Sequence, residues 1–154
     1  MPPDRHSRAF WVMNGDEPRR AQGAQRTARD GLNTITGQII DAAMKVHSAL
    51  GPGVLESAYH ACMRYELRKR GLRVRSQVKL PIVYDGVRID AGYRIDLLVE
   101  ECVLVELKAV TTRLPVHTAQ LLSYLKLGDY RVGLLLNFHE QHMKDGIERL
   151  VNDF

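Results

Sequence analysis

Tyr93-Arg-Ile-Asp-Leu-Leu-Val-Glu-Glu-Cys-Val-Leu-Val-Glu-Leu-Lys108 is the stretch on which the reading of this chain turns. Two apolar runs of strand type flank a short acidic turn, and Asp96, Glu106 and Lys108 stand at their far ends. The second run, continued as Ala109-Val110, reads as a buried strand, yet it carries two charges. Charges in such a place cost free energy unless they are paired or bound to a metal. Two carboxylates and a lysine converging on one sheet edge suit metal-assisted hydrolysis of a phosphodiester.

Side chains alternate along a strand, so Leu104, Glu106 and Lys108 share one face while Val103, Val105 and Leu107 share the other. Asp96 joins Glu106 only if the hairpin sets residue 96 opposite residue 106. A two-residue turn at Glu100-Glu101 would pair 96 with 105 and send the carboxylates to opposite faces. The metal-site reading therefore demands an odd loop, such as residues 100–102. Given that register, Asp96 and Glu106 offer hard anionic oxygens to Mg²⁺ or Mn²⁺, with the Leu107 backbone carbonyl as a neutral ligand. Lys108 is placed to orient a water and to stabilise negative charge growing on the phosphate. The competing reading is a structural carboxylate–lysine pair at a sheet edge.

Working outward, Leu72 to Leu80 alternates with period two, and Pro81 to Tyr84 leads into Asp85-Gly86, a hairpin signal. Val87 to Val99 reads as one long strand. Before these, Ile35, Ile39, Ile40, Ala43, Val46 and Leu50 keep a helical period from Asn33 or Thr34 until Gly51-Pro52-Gly53. A second helix carries Leu55 to Leu67 and closes on Arg68-Lys69-Arg70 before Gly71, cations that suit the helix C-terminus. After Val103–Val110, Leu114 to Leu127 is helical, with Pro115 in its first turn and Gly128 after its end. Arg131 to Phe138 is a buried strand, and Ile147 to Val151 a short strand or helical turn.

Residues 1–32 show neither period. They are expected to be a disordered leader, with Phe10-Trp11-Val12-Met13 either a docking peptide or part of an unstructured extension. Residues 33–154 form the single domain. Of the net charge of +4, the leader holds +2, six Arg against four acids, leaving too little on the domain to argue nucleic-acid binding from charge alone. No apolar run is long enough to span a membrane, and no signal-peptide core is present. Cys62 and Cys102 form no metal or disulfide pattern, so a cytoplasmic protein with buried free thiols is expected.

Other side chains extend the constellation. Glu56 opens the second helix after a glycine-bounded turn; it either compensates the helix dipole or points a further carboxylate at the metal. Tyr59 lies one turn on. Gln120 and Tyr124, at i and i+4, share a helix face and suit gripping a phosphate or base. His117 either joins them or caps the helix start. His47 reads as a core-edge histidine ahead of a ligand, and His6, His60, His139 and His142 carry no pattern.

Gly53-x-x-Glu56-x-x-Tyr59, Gly92-Tyr-Arg-Ile-Asp96, Glu106-Leu-Lys108 and Gln120-x-x-x-Tyr124, in this order, resemble the GxxExxY family of the PD-(D/E)xK nuclease superfamily. The resemblance covers roughly Asn33 to Val151. It implies an α/β fold with a mixed central β-sheet flanked by helices, a restriction-endonuclease-like core, and an active site where two strands diverge. It also implies that Glu56 is the helix acid, Asp96 and Glu106 the metal ligands, and Lys108 the catalytic lysine. The glutamine–tyrosine helix resembles that of members acting on DNA ends. Ile95 replaces the proline of the superfamily's first motif, a position that commonly varies.

The expected function is thus a Mg²⁺- or Mn²⁺-dependent nuclease acting on nucleic acid, DNA ahead of RNA, with little sequence preference, alone, as a homodimer or with a protein partner. Arg94, Arg113 and Lys126 are either phosphate contacts or solvated surface charges. The alternative is a nuclease-fold module that binds nucleic acid or a protein without turnover.

Overall fold

The computed structural model describes residues 17–153. The chain divides into two units, Met1–Asn33 and Thr34–Phe154, and the architecture below is that of the second. Its order is α1 (Glu17–Leu50, entering this unit at Thr34), α2 (Glu56–Lys69), β1 (Val74–Lys79), β2 (Ile82–Tyr84), β3 (Val87–Ile89), β4 (Arg94–Val99), β5 (Val103–Lys108), α3 (Pro115–Gly128), β6 (Val132–Asn137), a 3₁₀ turn (Met143–Gly146) and β7 (Ile147–Val151). Five strands form one sheet in the order β1-β4-β5-β6-β7. β5 and β6 run parallel, joined by the α3 crossover, and every other neighbour is antiparallel. The expected mixed sheet flanked by helices is the fold observed.

The apolar runs become strands because they are buried. β6 is buried throughout and β5 everywhere except Lys108. Leu98 and Leu104 face each other in register with no exposed surface, each withdrawing a side chain worth about 1.5–3 kcal/mol from water. Leu121, Tyr124 and Leu125 of α3 close over this cluster. α2 packs against β1 and β5, and α3 against β6 and β7.

Three boundaries differ from the sequence reading. First, α1 begins at Glu17 rather than near Asn33; no glycine or proline in residues 24–30 stops it, and its apolar stripe starts only later. The expectations for Met1–Asp16, including the Phe10–Met13 cluster, lie outside the described residues. Second, the long strand from Val87 to Val99 is two strands. Asp90 accepts the Gly92 N–H (2.9 Å), and Gly92 has φ of +82°, an Asx-type turn that leaves β2–β3 as a separate hairpin. Third, Gly128 does not end α3. Asp129 does, in the left-handed conformation (φ 59°). Gly128 is needed for space, since a Cβ there would lie 2.4 Å from the Tyr130 ring.

Candidate active site

β4 and β5 meet at Leu97↔Val105, Leu98↔Leu104 and Val99↔Val103. The loop between them is Glu100-Glu101-Cys102, the odd loop the metal-site reading required, and the register carries Asp96 to a place opposite Glu106. Glu100 and Glu101 both take left-handed φ values, 52° and 56°, and ion-pair to Arg73 and Arg75 of the β1 side. Asp96 and Glu106 are in contact through their polar groups. The Asp96 Oδ2 accepts the Leu107 N–H (2.9 Å), and the Asp96 N–H makes a long bond to the Glu106 Oε1 (3.4 Å).

On its other side Asp96 borders a break in the β1–β4 ladder. The Leu80 N–H bonds the Tyr93 carbonyl and the Glu100 N–H bonds the Arg73 carbonyl, both in the register of the sheet. These pairs lie seven positions apart. Bonded pairs of an undisturbed antiparallel ladder recur every second residue, so the pattern must change phase once between them. It does so at Gln77, which faces Asp96, is missing from the paired residues and has φ of 53°. The Asp96 carbonyl, released from the ladder, instead lies 3.1 Å from the His60 Nε2, which also meets the Ser76 Oγ at 3.1 Å. A carbonyl only accepts, so Nε2 carries the proton.

Beside the break lies a cleft of about 430 Å³ between α2 and the strands, with Glu56, Asp96 and Leu107 among its lining residues. His60 falls one turn beyond Glu56 and Arg64 one turn further, placing all three along one face of α2. Sequence reading gave His60 no role and passed over Arg64, Ser76 and Gln77. The i, i+4, i+8 spacing from Glu56 was the available signal.

Electrostatics ties the remaining residues to this point. Burial, and then the charge of Asp96, pushes the Glu106 carboxyl up to about 8, with Lys108 opposing the rise. Burial raises the Glu56 carboxyl as well; Lys108 draws it down, Asp96 pushes it up and His60 draws it down. Burial and the Glu106 charge raise the Tyr124 phenol. Tyr124 accepts the Gln120 amide (3.0 Å) and leans against Tyr93, their rings 5.6 Å apart. Asp96, Glu106 and Leu107 are thus in direct contact, and Glu56 shares a cleft with Asp96 and Leu107. Lys108 and Tyr124 are coupled to these carboxylates through their charge, and Gln120 joins only through Tyr124.

Other candidates are occupied elsewhere. The His117 Nδ1 accepts the Leu114 N–H (3.1 Å) at the start of α3. The Tyr59 hydroxyl donates to the Gly51 carbonyl and accepts the Val54 N–H, and its ring stacks on Phe138, so it holds the turn from which Glu56 emerges. His47 sits at the core edge, bonded to the Glu140 carbonyl (2.8 Å). Arg94 pairs with Asp90 and Arg113 with Glu148. Cys62 and Cys102 are free and half-buried.

Among the described residues no three His, Cys, Asp or Glu side chains cluster closely enough to hold a metal by themselves. The donor set still fits a small hard cation. Two carboxylates sit side by side where burial, and then their mutual repulsion, raises Glu106, and a divalent ion would relieve that repulsion. Mg²⁺ usually takes one or two protein carboxylates and completes its shell with water and phosphate. Glu56 lies outside that pair.

A carboxylate pair and a lysine at a strand divergence, on a five-stranded mixed sheet, define a restriction-endonuclease-like α/β domain. The chain belongs to the PD-(D/E)XK nuclease superfamily, whose family model matches residues 33–150. No curated protein and no solved structure matches the chain. Among the described residues no helix is long and apolar enough to cross a membrane.

Proposed function

We propose that this protein is a Mg²⁺- or Mn²⁺-dependent nuclease of the GxxExxY family that hydrolyses phosphodiester bonds of DNA with little sequence preference. The observation that carries the reading is the register of β4 and β5, which brings Asp96 opposite Glu106 with Lys108 two residues further on the same face. Asp96 and Glu106, with the Leu107 carbonyl, would hold the ion, which when bound would supply Lewis acidity at the phosphate and a lowered pKa for a water. Lys108 orients that water and offers its positive charge to the phosphoryl oxygens as negative charge builds there. Glu56, whose carboxyl burial raises above its ordinary value, is suited to pass a proton to or from the attacking water. Gln120 and Tyr124 present an amide and a phenol to the phosphate or base; His117 flanks them at the head of α3.

The test is cleavage of linear, circular and single-stranded DNA, and of matched RNA, with Mg²⁺ or Mn²⁺. Wild type is run beside Lys108→Ala. Cutting by wild type alone supports the assignment, and the preferred substrate gives the mode. RNA-only cutting refutes DNA as substrate, and equal cutting by both proteins refutes the site.

A further inference from the structure

The cleft at the ladder break is lined by groups of opposite character: the carboxylates of Glu56 and Asp96, and Arg64, which stands two turns beyond Glu56 along α2. Arg64 is half-buried, yet no hydrogen bond or ion pair is found for it among the described residues. That sets it apart from two other half-buried arginines here: Arg70 pairs with Asp41 and Glu66, and Arg94 with Asp90. A guanidinium partly withdrawn from water without a partner is poised for an anion, and its fork of donors matches phosphate oxygens. Ser57, Ser76 and Gln77 line the same cleft. Gln77 is held there by its left-handed backbone at the phase change.

We propose that the part of the cleft around Arg64 is a second phosphate subsite, with Arg64 gripping a backbone phosphate a short way along the strand from the one at Asp96 and Glu106. The proposal rests on the nuclease reading above. Arg64 stands eight residues from Glu56 on α2, about 12 Å along the helix axis, so the two do not serve a single phosphate. The carboxylates accept a phosphate only through a cation, whereas the arginine accepts one directly. The ligand that satisfies both carries at least two phosphates in a chain, as a nucleic-acid strand does. The subsite reads backbone and not base, which agrees with low sequence preference.

The experiment measures binding of short fluorescein-labelled DNA and RNA strands to the full chain carrying Lys108→Ala, with Mg²⁺, across a series of salt concentrations. Arg64→Gln in that background is expected to weaken binding about ten-fold or more. It should also lower the slope of log affinity against log salt by about 0.7–0.9, one phosphate contact. Arg64→Lys keeps the charge and should keep the slope while losing part of the affinity. Thermal unfolding of each variant shows whether it is folded, and if Arg64→Gln is not, Arg64→Lys decides: affinity equal to the parent overturns the subsite. Unchanged affinity and slope in folded Arg64→Gln also overturn it, while cleavage by wild type leaves the nuclease reading standing. A parent that binds no strand, with a wild type that cuts none, overturns both.

Discussion

Glu106 is a buried acid whose charge the folded protein resists, and Glu106→Gln isolates that resistance. Glutamine keeps the shape and still accepts the Asp96 N–H, but it cannot ionise. In the metal-free wild type the Glu106 carboxyl is raised from 4.5 to about 8 by burial and by Asp96. Below pH 4.5 the group is protonated in both folded and unfolded chains and costs nothing. Between 4.5 and about 8 the folded state holds a proton that the unfolded chain has released, so stability falls as pH rises through that window and levels off above it. Each pH unit of the span is about 1.4 kcal/mol, which puts the full loss on the order of 5 kcal/mol. That is a large part of the 5–15 kcal/mol typical of a domain.

The assay is urea unfolding in EDTA from pH 5 to pH 9, wild type beside Glu106→Gln. Every other titrating group is common to both proteins, so the difference between them reports residue 106. The gap between the two should be smallest near pH 5, under about 1 kcal/mol. Near pH 9 the variant should be the more stable by several kcal/mol, or about 2 M in the urea midpoint for an m-value near 2 kcal/mol/M. Saturating Mg²⁺ or Mn²⁺ should restore the wild type at high pH and leave the variant unmoved. Parallel curves for the two proteins across the whole range would refute the buried carboxylate pair.

Asp96→Asn should abolish the thermal stabilisation by Mg²⁺ or Mn²⁺, which for wild type at a hundred times the dissociation constant is about 2.7 kcal/mol; an undiminished shift, read by calorimetry, would move the ion elsewhere. Tyr59→Phe keeps the stacking on Phe138 but frees the Gly51 carbonyl and the Val54 N–H. It should lower stability by about 1 kcal/mol and slow cleavage further by loosening the turn before Glu56; the urea midpoint and the single-turnover rate check the two effects. Gly128→Ala should cost about 1–3 kcal/mol by driving a methyl group into the Tyr130 ring, and Tyr130→Ala should recover part of that loss; denaturation of the three variants tests the pairing.

Much of this molecule was readable because its signals are local. The largely apolar runs at Val103–Lys108 and Val132–Asn137 announce central strands, and the parallel pair follows from the helix between them. The three-residue loop was legible as a condition, since only an odd count lets Asp96 meet Glu106. What stayed hidden depends on contacts between distant parts of the chain. Val87 to Val99 alternates like one strand, and only the Asp90 bond to the Gly92 N–H shows where it breaks. His60 looked idle because its partners, the Asp96 carbonyl and Ser76, lie on two strands far along the sequence. Gly128 read as a helix stop because glycine usually is one, whereas here it makes room for Tyr130.

The same reasoning explains why the cleft lies where it does. A sheet that kept its ladder through residues 77 and 96 would tie the Asp96 carbonyl to β1 and leave no gap for a ligand. The left-handed turn of Gln77 costs on the order of 1 kcal/mol in a residue with a Cβ, and nothing in the identity of glutamine foretells it. What offsets that cost is the His60 bond to the freed carbonyl, which removes an unsatisfied acceptor that would itself cost about 1–3 kcal/mol. The kink and the histidine thus depend on each other. Gln77→Gly should raise stability by about 1 kcal/mol, because glycine takes the left-handed conformation freely, while His60→Ala should lower it by a similar or larger amount. If Gln77→Gly instead destabilises as much as His60→Ala does, the glutamine side chain is holding the cleft open through contacts of its own, and strain at its backbone is not what shapes the site.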